Sequence, residues 1–219
     1  MSAPPALVVI AKEPRPGRVK TRLSPPCTPV EAAALASAAL ADTLEAAAAA
    51  PAGRCILALD GAPGAWIPQG FEVIPQVAGG LDLRLGAALE AAGGPAVAIG
   101  MDTPQLTPVR LAAALEALAG AEAALGAAPD GGYWAIGLRR PDRAALAGVP
   151  MSVPWTAAAQ RDRLRRLDLH WIELGELRDV DDWDDAVAVA ADSPRTRFAQ
   201  RLRAIDASRR SERLAAGVG

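Results

Sequence analysis

The stretch LVVIAKEPRPGRVKTRL, residues 7–23, decides the fold. Its first five residues are apolar without a break, which suits a strand buried on both faces of a parallel sheet. Beyond Ala11 the chain turns to proline, glycine and positive charge, so the strand runs out into a loop. That loop carries Lys12, Arg15, Arg18, Lys20 and Arg22, with Gly17 among them. The whole sequence has 21 Arg and 2 Lys, and both Lys fall here. An ammonium is a compact point charge on a flexible stem, whereas a guanidinium is a planar fork. A phosphate oxygen that moves during a reaction suits the ammonium. A strand, then a basic loop with glycine, then a helix is the order that holds phosphates: Gly17 lets the backbone come close and the prolines stiffen the turn. The spacing is not the GxxxxGK[ST] of a P-loop. A solvated basic loop is the other reading of the same residues.

Working outward, a helix follows at TPVEAAALASAALADTLEAAAAA, with Thr28 as N-cap, Pro29 at N1 and Glu31 completing a capping box. RCILALD (54–60) and FEVIPQ (71–76) read as strands, the second ended or placed at an edge by Pro75. LDLRLGAALEAA (81–92) has leucines at i, i+4 and i+8 and reads as a helix. AVAIGMD (96–102) is another buried strand. Thr107 caps a helix that starts at Pro108 and ends at Gly120. AEAALGA and YWAIGL are two strands joined through PDGG. Residues 156–169 are helical, 170–177 contain a late strand, DDWDDAVAVAA opens a helix, and residues 193–214 form a last one. Strands alternate with helices, which predicts an α/β fold with a mostly parallel sheet and helices on both faces.

Composition bounds the function. A length of 219 residues fits one domain with a real core. Net charge is −2, so no global basic field draws nucleic acid. No apolar run approaches the roughly 20 residues of a membrane span, and the N-terminus lacks a signal peptide's basic region. The two cysteines have neither metal-ligand nor redox spacing. The expectation is a cytoplasmic protein with no membrane and no nucleic-acid partner, and with a homodimer possible. The C-terminal segment has seven Arg between Arg195 and Arg213, with Phe198, Leu202 and Ile205 on one face. That pattern predicts an amphipathic helix docked on the body or on a second subunit. Residues 1–192 are read as the main domain and 193–219 as a basic helix and tail.

In sheets of this kind ligands bind outside the carboxyl ends of the strands. The basic loop, Asp102 in GMDTP and Asp130 in PDGG all follow predicted strands, so they converge on one rim. A carboxylate such as Asp102 at that rim can hold Mg²⁺ (or Mn²⁺) against a diphosphate; a loop Asp bonding nearby N–H groups is the alternative. Asp130 has two readings. Asp-Gly between apolar runs is a hairpin signal. Equally, Gly131 and Gly132 would let the backbone approach a substrate that Asp130 binds, with Tyr133 and Trp134 as walls. Trp155, before Thr156, is a candidate substrate contact, while Thr156 reads as a helix N-cap. His170, the only His, reads as structural.

AKEPRPGRVKTRL, VAIGMDTPQLTP, APDGGYWAIGL and DVDDWDDA, in this order, resemble a family of bacterial proteins of the GT-A, or nucleotide-diphospho-sugar transferase, superfamily. The resemblance is to the arsenosugar-pathway-associated glycosyltransferase type and covers about residues 6 to 190. It implies a Rossmann-like GT-A three-layer α/β/α sandwich, a bound nucleotide and a divalent metal, with an extra C-terminal helix outside the resemblance. Asp102 matches the superfamily's metal-binding Asp, though as a single acid and not a DxD. Asp179 and Asp181 match a late D-x-D that completes the metal site of sugar-activating nucleotidyltransferases. The same acids also suit a helix start capped by Asp181 or Asp182. Pro129 stands where relatives carry an acid before Asp130.

The resulting expectation is a Mg²⁺-dependent, nucleotide-using transferase. Lys20, Asp102 and Asp130 are its catalytic candidates. Lys12, Arg15, Gly17, Lys20 and Arg22 are its phosphate-binding candidates. Glycosyl transfer from an NDP-sugar is slightly favoured over transfer of a nucleotidyl group from an NTP to a small phosphorylated acceptor. A nucleotide-binding protein without catalysis is the third reading.

Overall fold

The computed structural model describes residues 4–215 and 217, with side chains through Ser211. The ends of the two expected regions, and the side chains of Glu212 and Arg213, lie outside the described residues.

The strands are β1 (Ala6–Lys12), β2 (Arg54–Asp60), β3 (Phe71–Pro75), β4 (Ala96–Ile99), β5 (Ala123–Ala127), β6 (Tyr133–Leu138) and β7 (Trp171–Leu174). They form one sheet in the order β3-β2-β1-β4-β6-β5-β7. All described strands run the same way except β6, which is antiparallel to both β4 and β5. The helices are α1 (Pro29–Ala48), α2 (Leu81–Glu90), α3 (Pro108–Gly120), α4 (Thr156–Arg166), α5 (Trp183–Asp192) and α6 (Arg197–Ala215). The fold is the Rossmann-like GT-A three-layer α/β/α sandwich with an extra C-terminal helix.

Alternation along β1 builds the layers, because successive strand side chains point to opposite faces. Leu7 and Val9 pack with Leu40 and Leu44 of α1 and Leu111, Leu115 and Leu118 of α3. Val8 and Ile10 pack with Leu85 and Leu89 of α2 and Leu164 of α4. β1 is therefore apolar and buried from Ala6 to Ala11, because both of its faces are covered, and only its last residue, Lys12, is exposed. β3 is the edge strand next to β2 and ends at Pro75, where a missing N–H costs no ladder bond.

Helix α1 starts as its residues require. The Thr28 hydroxyl accepts from the Glu31 N–H, and the Glu31 carboxylate accepts from the Thr28 N–H at 2.7 Å. Its alanines serve two faces. Ala33, Ala36 and Leu40 meet the sheet layer. Ala32, Leu35 and Ala39 meet a third apolar cluster with Ala186 and Val189 of α5 and Phe198, Leu202 and Ile205 of α6. The i, i+4, i+7 stripe on α6 is thus docked on the body. The same cluster contains Leu23 and Cys27 from the end of the opening loop and Val180 from the segment before α5. The C-terminal helix braces two loops that lie at the strand ends.

One expected cap is placed differently. Trp155, not Thr156, occupies the N-cap of α4. The Thr156 hydroxyl donates to the Val153 carbonyl at 2.9 Å and accepts from the Val153 N–H at 3.2 Å, so it closes the preceding loop instead. Among the described residues no helix is long and apolar enough to cross a membrane.

Candidate functional site

Three of the sequence segments meet through one side chain. Lys20 ends the opening loop in a left-handed backbone conformation, φ 49° and ψ 39°, just before a short 3-10 turn at Thr21–Leu23. Its side chain is only 7% exposed, and its ammonium lies 2.6 Å from Asp102 Oδ1. The same ammonium donates to the Val180 carbonyl. The Val180 N–H in turn donates to the Asp102 carbonyl at 2.9 Å. Arg22 pairs with Asp181, and the Gln105 amide donates to the Arg178 carbonyl. The basic loop, the turn after β4 and the segment before α5 are therefore bound to one another at the carboxyl rim of the sheet. Asp182 caps α5, and Asp185 returns the bond to the cap, so this capping box fixes the end of the same segment.

Asp130 sits in the β5–β6 turn, where its Oδ1 accepts from the Gly132 N–H at 2.8 Å. Gly131, at φ +87°, has a Cβ direction that would fall 1.8 Å from the Pro154 carbonyl oxygen. Its carbonyl accepts from the Ala157 N–H at 2.8 Å. The close approach that Gly131 permits is thus to the chain entering α4. Gly132 borders the cleft. Strand alternation separates the next two residues. Trp134 is buried and donates its indole N–H to the Gly175 carbonyl at 3.0 Å. Tyr133 lies on the other face, with its hydroxyl 3.6 Å from the Met151 sulfur. Desolvation pushes its phenol above the ordinary value, reinforced by the charge of Asp82.

The acids at the rim act on each other. Burial first, and then the negative charge of Asp130, push the Asp179 carboxyl up to about 6, with Asp181 and Asp102 adding to the effect. Like charges that disfavour ionisation mark a place where a cation would be stabilised. Among the described residues no three His, Cys, Asp or Glu side chains converge tightly enough to cage a metal ion. Mg²⁺ needs no such cage. It takes one or two carboxylates and completes its shell from water and substrate phosphate. The oxygen-only pair Asp102 and Asp179 fits an ion bound in that manner.

These groups line a cleft of about 730 Å³. Lys12, Lys20, Arg22, Asp102, Asp130, Gly132, Tyr133, Asp179 and Asp181 all border it. Arg15, Gly17, Gly131 and Trp155 are not among its lining residues. Arg15 is turned to Glu13 at 2.7 Å. Gly17 is exposed, and at φ +75° it serves the turn itself. Trp155 is 57% exposed beyond the rim. His170 is exposed before β7. The cleft also contains Arg18 of the basic loop, together with Gln76, Arg84, Thr103 and Met151, which the sequence reading missed as site residues. Arg84 reads as the polar face of an ordinary amphipathic helix. Gln76 is one polar residue after an edge strand, and Thr103 is a turn residue. Only the fold brings them to the rim.

The profile of a family described as an uncharacterized protein conserved in bacteria, DUF2064, matches residues 33–153, more than half of the chain. No curated protein matches. Among solved structures, a protein from Desulfovibrio desulfuricans G20, provisionally described as a nucleotide-diphospho-sugar transferase, is 26% identical. It superposes with a TM-score of 0.84 over 94% of this chain and 96% of its own. Rv0371c from Mycobacterium tuberculosis H37Rv, in complex with manganese, is 22% identical with a TM-score of 0.54, over 86% of this chain and 98% of its own. A nucleotidyl transferase from Methanothermobacter thermautotroptrophicus is 16% identical with a TM-score of 0.55, over 91% and 98%. The latter two likenesses are of fold.

Proposed function

The chain belongs to the DUF2064 family, and we propose that it is a nucleotidyltransferase that moves the nucleotidyl group of an NTP to a small phosphorylated acceptor. The observation that carries this reading is the Lys20 ammonium. It lies between Asp102 and the Val180 carbonyl, with Arg22 on Asp181 beside it. A cation lining the cleft, paired with a single carboxylate that a phosphate can replace, meets the charge of a triphosphate as it arrives.

In the proposed reaction an acceptor oxygen attacks the α-phosphorus. The bond from that phosphorus to the bridging oxygen breaks, and pyrophosphate leaves with the electron pair. Lys12 and Lys20 neutralise the leaving diphosphate, with Arg18 and Arg22 at the outer edge. Little covalent work falls to the protein, so positioning and electrostatics supply the catalysis. Asp102 and Asp179 would hold Mg²⁺ (or Mn²⁺), which when bound offsets phosphate charge and orients the triphosphate, while Asp181, the third acid expected there, is engaged by Arg22. Asp130 would orient the acceptor from the far wall.

Transfer of a sugar from an NDP-sugar is a second reading. It is favoured by the description of the 26%-identical structure. A thermal-shift panel of NTPs, NDPs and NDP-sugars, each with and without Mg²⁺, separates the two. A ligand at about 100 times its Kd adds roughly 2.7 kcal/mol to stability. One NTP raising Tm more than the matching NDP-sugar, with pyrophosphate released on adding acceptors, is the expected result. A larger shift by an NDP-sugar would turn the reading to glycosyl transfer. Tight binding with no turnover would leave a binding protein.

A further inference from the structure

Arg84 stands at the end of the cleft opposite the acids, and nothing in the phosphate loop or the carboxylate rim uses it. It projects from the first turns of α2, beside the edge of the sheet. Its Nη1 donates to Gln76 Oε1 at 3.1 Å. Gln76 is itself fixed: its Nε2 donates to the Ala11 carbonyl at 2.8 Å and to the Ala58 carbonyl at 2.9 Å. The amide therefore bridges the ends of β1 and β2, and its oxygen can only face Arg84. One side of the guanidinium is tied down. On the other, Nε is buried and has no hydrogen-bond partner. A buried donor without an acceptor is a cost that the native state carries unless a ligand relieves it.

The surroundings differ from the phosphate end. Ile10 of β1 and Leu81 and Leu85 of α2, the helix that carries Arg84, also line the cleft and give it apolar walls. An apolar slot with one oriented guanidinium suits a flat, polar-edged ring better than a phosphate. The Nε–H and Nη2–H of an arginine point in the same direction as a two-pronged donor. Gln76 stands at the ends of β1 and β2, and β1 is the neighbour of β4, whose following turn carries Asp102, the partner of Lys20. Arg84 and Lys20 line one cleft, so a single nucleotide lying in it can meet both.

We propose that Arg84, aimed by Gln76, selects the nucleobase, and that it takes a base with two adjacent acceptors on one edge. Guanine presents O6 and N7 in that relation, and cytosine presents O2 and N3. Adenine places an amino donor beside N7 and beside N1, and uracil places an N–H between its two oxygens. The fork is satisfied by the first two bases and meets a donor on the others. This inference rests on the nucleotide reading above.

The test is calorimetric titration of the full chain with GTP, CTP, UTP, ATP and inorganic pyrophosphate in Mg²⁺. The wild type, Arg84→Lys, Arg84→Gln and Lys20→Ala are compared. A good two-pronged contact discriminates by about tenfold or more, so GTP or CTP binds at least about tenfold more tightly than ATP and UTP. Whichever of the two is preferred names the base. Arg84→Lys keeps the charge but not the fork, and brings the preferred nucleotide to within about twofold of ATP, which itself hardly changes. Arg84→Gln removes the same preference. Lys20→Ala weakens all four nucleotides and pyrophosphate alike. Wild-type binding of all four within about twofold, or Arg84→Lys weakening all four equally, overturns the base assignment and leaves the nucleotide reading standing. If neither a nucleotide nor pyrophosphate binds, both fall.

Discussion

At Lys20 the backbone is left-handed, and the side chain runs inward to meet Asp102 and the Val180 carbonyl. A compact ammonium can donate to both oxygens from a narrow approach, whereas a planar guanidinium needs a wider slot. Lys20→Arg is therefore expected to weaken pyrophosphate binding by about tenfold or more although the charge is kept, measured by calorimetry. Lys20→Ala leaves Asp102 without its partner. Because Asp102 is 42% exposed, the expected loss of stability is modest, about 1 kcal/mol in a urea titration. Asp179 gives the pH dependence. Its folded carboxyl titrates near about 6, above the ordinary 3.8, through burial and then the charges of Asp130, Asp181 and Asp102. The protonated form is thus favoured in the fold. Its contribution to stability is full below about 4 and is lost as pH rises through about 6. In EDTA, Asp179→Asn is expected to be more stable than wild type at pH 7, by up to about 3 kcal/mol, and no more stable at pH 4. Equal slopes of stability against pH between 4 and 7 in the two proteins would refute the assignment.

The β5–β6 hairpin shows how an element serves two ends at once. Asp130 and Gly132 make the turn, and Gly131 lets the chain pass against Pro154. Any side chain at 131 meets both a strained φ and a carbonyl oxygen. Gly131→Ala is expected to cost more than about 1–2 kcal/mol and to displace the turn, seen as a lower Tm together with altered near-ultraviolet absorption of Tyr133 and Trp134. The DG signal was legible because turn geometry is local. The contact with Pro154 was not, since residues 131 and 154 are joined only by the packing of α4 on the hairpin. Helix starts were legible for the same local reason: the box at Thr28 and the cap at Thr107 need only one turn of sequence, while at α5 the choice between Asp181 and Asp182 was settled by the fold. Thr156 is the instructive exception, because its hydroxyl had a nearer carbonyl to bond.

Across the whole molecule, the apolar cluster of α1, α5 and α6 reaches Leu23 behind the basic loop and Val180 behind the acidic segment. The division expected after residue 192 becomes a proposal with a consequence. A chain ending at Asp192 uncovers that cluster and is expected to lose both stability and phosphate affinity. Full nucleotide and pyrophosphate affinity in the shortened chain would show that α6 does not brace the site. The strand at 7–11, the alternation of strands with helices, the caps and the arrival of Lys20, Asp102 and Asp130 at one rim were all determined by the sequence alone. Each depends on periodicity, local hydrogen bonding or chain order. Tertiary structure alone decided that Lys20 bonds Asp102 and Val180, that Asp179 is pressed by three other acids, and that Gln76 and Arg84 face the cleft. These relations join residues up to 160 positions apart. Hydrogen bonds and charge interactions fall off within ångströms, so only the packed fold, not spacing along the chain, brings them into range.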